Sequence, residues 1–90
     1  MNKIIKMSEI VKITNLWMDI FYEEDSDYPD YRVIKPKEKA IDRILDTITA
    51  DKEEQSKVYE IITDKNFFAK TYKPICDDLR KLGYTIVEGA

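Results

Sequence analysis

Histidine is absent from these ninety residues, which removes the commonest general base near neutral pH and the commonest zinc ligand. Cysteine occurs once, at Cys76, so neither an intrachain disulfide nor a multi-cysteine metal site can form. A lone thiol fits a reducing compartment, and a cytoplasmic location is the expectation. The two glycines are Gly83 and Gly89, too few for a phosphate-cradling P-loop or a dinucleotide fingerprint. Ser8, Ser26 and Ser56 stand outside any GxSxG nucleophile elbow. No apolar run approaches the roughly 20 residues of a membrane span, and Lys6 and Glu9 cut the apolar start at Ile4 and Ile5 before it resembles a secretory signal. Catalysis, cofactors and metal ions are therefore not expected.

What remains is enough for one small domain spanning residues 1–90. Hydrophobic residues make up 43% and charged ones 37%, which supplies a core and excludes a disordered tail. The net charge of −3 argues against a general nucleic-acid binder, which would carry a basic excess. Isoleucine (13) outnumbers leucine (4) and lysine (12) outnumbers arginine (3), a bias that points to an AT-rich source such as a low-GC bacterium or its phage.

Apolar spacing predicts four helices. In the first, after Ser8 as N-cap, Ile10, Ile13, Trp17, Ile20 and Phe21 recur every three or four residues to about Glu23,. Val11, Leu16, Met18 and Tyr22 widen that stripe beyond one face, so self-association through Val11, Met18 and Tyr22 is an expectation. Pro36 suits the first position of a second helix over about 36–49, with Ala40, Ile41, Ile44, Leu45 and Ile48 on one face. Arg32, Val33 and Ile34 then read as extended, because Lys35 precedes a proline. Asp51 with Glu54 resembles a capping box opening a third helix to about Thr63, built on Val58, Tyr59, Ile61 and Ile62,.

Asn66 is the expected cap of a fourth helix to Leu82, its stripe being Phe68, Tyr72, Ile75, Cys76, Leu79 and Leu82, with Pro74 inside it giving either a kink near Thr71 or two short helices,. Gly83 ends it in a left-handed conformation. Residues 84–88 alternate as a strand whose partner is either 3–7 or 32–34. The fold class expected is a small, mainly α, four-helix domain with a minor β element.

One loop stands out chemically. Tyr22, Glu23, Glu24, Asp25, Asp27, Tyr28, Asp30 and Tyr31 place five carboxylates within eight positions, framed by three tyrosines. Clustered carboxylates steer a basic surface, and tyrosines supply rigid contact area once it arrives. The plain alternative is a solvated connecting loop whose acids aid solubility and whose Tyr28 and Tyr31 pack back onto the domain. An EF-hand is excluded, since counting from Asp25 puts Asp30 where glycine belongs and Pro36 where the bidentate glutamate belongs,. Glu38, Asp42 and Asp46, one helical turn apart, read as a salt-bridged surface with Lys39 and Arg43 rather than a metal centre.

The functional expectation is a non-enzymatic binding protein that inhibits or modulates a basic protein partner through residues 22–31. An immunity protein or a phage-encoded inhibitor of host defence fits that description. The alternative is a winged-helix-type DNA-binding regulator using Lys70, Lys73, Arg80 and Lys81 of the fourth helix, with Asp77 expected to repel phosphate or to form a Lys73–Asp77–Lys81 ladder.

Overall fold

The computed structural model describes residues 3–66 and 71–88. Among them the chain runs β1 (Ile4–Lys6), α1 (Met7–Glu24), α2 (Tyr31–Ile48), α3 (Lys52–Asn66), α4 (Lys73–Lys81) and β2 (Thr85–Val87). It is a mainly helical fold with a two-stranded sheet, as the apolar spacing predicts. The expected residues Phe68 and Lys70 lie outside the described residues.

α1 and α2 form an antiparallel hairpin joined by residues 25–30. Its register is read from two polar contacts. The Thr47 hydroxyl donates to the Glu9 carboxylate at 2.9 Å, and Lys37 Nζ meets Asp19 Oδ2 at 3.1 Å, ten residues apart on each helix. Inward-facing Ile10, Ile13 and Ile20 of α1 meet Ile34, Ile41 and Leu45 of α2, all buried. Thr14 is buried among them as well. α3 packs across the hairpin with Val58 and Ile62.

α1 starts earlier than Ser8. Lys6 holds the cap position, and its backbone N–H donates to Glu9 Oε1 at 2.8 Å, so the Glu9 carboxylate satisfies a donor there. α2 also starts early, which overturns the extended reading of 32–34 and the placement of Pro36 at the first helical position. Pro36 lies inside the helix. The additional turn fully buries Ile34 and lets Asp30 cap the helix, accepting the Arg32 N–H at 2.9 Å. Those gains offset the backbone bond that proline removes.

Asp51 caps α3, its Oδ1 accepting from Glu53 N at 2.9 Å. Buried Gln55 secures the α2–α3 turn, its Nε2 donating to Thr49 O at 2.7 Å and to Asp46 Oδ1 at 2.8 Å. Asn66 is the last residue of α3, not the cap of a fourth helix. α4 is correspondingly shorter than expected, starting after Tyr72 with Pro74 in its first turn, where proline lacks only a donor that has no helical partner. Ile75, Cys76 and Leu79 face the core, and Cys76 Sγ sits 3.8 Å from Met7 Sδ as a small buried hydrophobe.

Gly83 adopts φ 104° and turns the chain into β2. That strand pairs in parallel with β1, Ile5 opposite Ile86, which decides between the two expected strand partners in favour of 3–7. Fully buried Ile5 and nearly buried Tyr84 anchor the pair to the helices.

Candidate functional site

The acidic–aromatic loop is a compact corner with fixed internal bonds. Glu23 Oε1 accepts the Asp30 N–H at 2.9 Å, closing the loop end to end. The Ser26 hydroxyl donates to Glu23 O at 2.7 Å, and Asp25 N donates to Phe21 O at 3.0 Å. Asp30 caps α2 and also takes a forked contact from Arg32, Nε at 3.1 Å and Nη2 at 3.3 Å. Arg32 thereby holds the Asp30 carboxyl below the usual aspartate value,. Glu23 and Asp30 are thus committed to building the corner.

Asp25 and Asp27 are exposed on it. So are the tyrosines: Tyr28 is 91% exposed, Tyr22 65% and Tyr31 60%. None of the three packs back into the core, in contrast to the plain reading of a loop whose tyrosines fold onto the domain. Val11, Met18 and Tyr22 fall on one stripe of α1; Val11 is half-buried and Met18 is 37% exposed.

The second feature escaped the sequence. Between α1, α2 and α3 lies a cleft of about 750 Å³, within the size range of ligand sites. Buried Ile20, Ile41 and Leu45 line it together with Trp17, Phe21 and Tyr59. Trp17 and Phe21 stand one turn apart on α1, ring centroids 5.5 Å apart and tilted by 31°. Glu24, Glu38, Asp42 and Asp46 supply carboxylates to the same cleft. Asp46 pairs with Lys52 at 3.0 Å, and that contact with the Gln55 amide holds its carboxyl below the usual range. Glu24, Glu38 and Asp42 have no ion-pair partner among the described residues. The expected pairing of α2's acids with Lys39 and Arg43 is therefore replaced by one cross-helix pair and an acidic border.

Tyr59 registers this arrangement. Burial pushes its phenol above the ordinary value, and the charges of Glu38, Glu24 and Asp42 raise it further. Three carboxylates from two helices therefore act on one ring. No group of three or more Cys, Asp or Glu side chains among the described residues could hold a metal ion.

On α4, Arg80 pairs with Asp77 at 3.2 Å and Lys81 with Asp78 at 4.0 Å. These pairs, three residues apart, replace the expected Lys73–Asp77–Lys81 ladder and occupy two of the cations a phosphate backbone would need. β2 pairs in parallel with β1, whereas a wing is an antiparallel hairpin.

No helix among the described residues is long and apolar enough to cross a membrane. Compared with family models, with curated proteins and with solved structures, the chain matches none.

Proposed function

We propose that the chain is a non-enzymatic binding protein that inhibits or modulates a protein with a basic surface, engaging it through the 22–31 corner. The observation that carries this reading is the exposure of Tyr22, Tyr28 and Tyr31 on a loop of five carboxylates held in shape by the Glu23–Asp30 bond. A pre-shaped loop loses little entropy on binding. Exposed aromatic rings are the residue type that anchors interfaces. Asp25 and Asp27, which make no ion pair among the described residues, are assigned to steering, while Glu23 and Asp30 maintain the loop.

The test is a pull-down from lysate of the source organism, with and without nuclease. The bait is either the native chain or the variant Asp25→Asn/Asp27→Asn/Tyr28→Ala, which spares the loop's internal bonds. A nuclease-resistant protein captured by the native chain and lost with the variant supports the reading. A partner retained by the variant, or one that disappears with nuclease, overturns it, the latter in favour of nucleic-acid binding through α4.

A further inference from the structure

We propose that the α1–α2–α3 cleft is a docking groove for a basic amphipathic helix of a partner protein, which places apolar side chains on Trp17 and Phe21 and lysine or arginine against Glu38 and Asp42. This goes beyond the loop reading and stands or falls separately from it.

The proposal starts from two rows that share one cleft. Along α1, Trp17 and Phe21 present aromatic surface one turn apart. Along α2, Glu38, Asp42 and Asp46 present carboxylates at the same interval, about 12 Å from first to last at 1.5 Å per residue. The occupant must therefore show an apolar row and a cationic row side by side on one face. An amphipathic helix does this, since residues three and four apart line up along it. A strand cannot, because each of its faces carries a single row.

The sign of the partner follows from the border. Lys52 neutralises Asp46, while Glu24, Glu38 and Asp42 are not neutralised by any ion pair among the described residues. Burial raises the Tyr59 phenol, and the charges of Glu38, Glu24 and Asp42 raise it further. An acidic or neutral segment would leave these charges partly desolvated and unpaired, whereas a basic one supplies the counter-charge. The groove is also open to its occupant: Phe21 is 37% exposed and Trp17 only half-buried.

The test uses the whole chain and a synthetic peptide of about 14 residues, roughly four helical turns, with leucine on one face and lysine on the other. Trp17 is the chain's single tryptophan, so its emission reports the cleft directly when the peptide has none. Saturable binding with a blue shift of Trp17 emission is expected. The variant Glu38→Gln/Asp42→Asn, which keeps side-chain size, should weaken it on the order of tenfold. Asp25→Asn/Asp27→Asn should leave it unchanged, and a Lys/Ser peptide of equal charge should not shift Trp17.

Absence of a Trp17 shift up to millimolar peptide overturns the proposal, as does equal binding by the Glu38→Gln/Asp42→Asn variant. Equal binding of the Lys/Ser peptide would mean attraction by the general field rather than the groove. Amide chemical-shift changes confined to residues 25–31 would reject the cleft and favour the loop.

Discussion

Glu23, in the last turn of α1, accepts the backbone N–H of Asp30 at 2.9 Å, and Asp30 caps α2. One carboxylate thus closes the loop that a second uses to start the next helix. The bond requires an acceptor at position 23 and no charge. Glu23→Gln, whose amide oxygen can accept it, should keep nearly native stability, while Glu23→Ala should lose about 1 kcal/mol. Urea unfolding of the two variants checks this; equal losses would show that the charge matters rather than the bond.

The early start of α2 predicts an asymmetry between neighbours. Ile34 is fully buried and Val33 is 41% exposed, as on a helix with only one face inward. Ile34→Ala should cost about 3 kcal/mol, and Val33→Ala about 0.5 kcal/mol or less. Pro36→Ala restores the N–H that proline removes inside a helix and should stabilise the fold by about 1 kcal/mol or more. Thermal unfolding of the three variants reads all of this, and destabilisation by Pro36→Ala would contradict a continuous α2.

Gly83 tests the backbone alone. A Cβ there would meet nothing nearer than Lys3 Cδ at 3.8 Å, so space is not limiting. The φ of 104° is: Gly83→Ala should cost about 1 kcal/mol or more through strain. Loss of that size with native amide shifts elsewhere is the expected result; an unchanged midpoint would mean the turn relaxes to negative φ.

The helices were legible wherever the chain's own neighbours decide them. Ile41, Leu45, Val58, Leu79, the Asp51 cap and the Gly83 stop all follow from local spacing and capping chemistry. Local rules misplaced the start of α2, because the bias against helix before proline is weaker than burying Ile34 and gaining the Asp30 cap. Assigning 31–34 to a helix also settles the strand pairing, since it leaves only 4–6 to pair with 85–87. The exposed acids and tyrosines of the corner were visible as composition, but not the division of labour that commits Glu23 and Asp30 to the loop itself. The cleft was invisible for a different reason. Trp17 and Glu38 lie 21 positions apart, and only the antiparallel register set at Glu9–Thr47 and Asp19–Lys37 brings their two rows into one groove.

That convergence can be measured in the Tyr59 phenol. Burial, then the charges of Glu38, Glu24 and Asp42, raise it above the ordinary tyrosine value of 10.0. Its ionisation is isolated by subtracting the alkaline absorbance titration of Tyr59→Phe from that of the native chain. Glu38→Gln/Asp42→Asn should move this midpoint down towards 10, because two charges opposing a phenolate have been removed while the burial remains. Stability follows with a definite sign. A group whose pKa is raised by folding contributes stability that is complete below its unfolded value and is lost as pH rises through the folded one. The native chain should therefore lose stability above about pH 10, and Tyr59→Phe should lose less over the same range. An unmoved Tyr59 midpoint in the Glu38→Gln/Asp42→Asn variant would mean that those carboxylates do not act on the ring, and the acidic border of the cleft would lose its electrostatic significance.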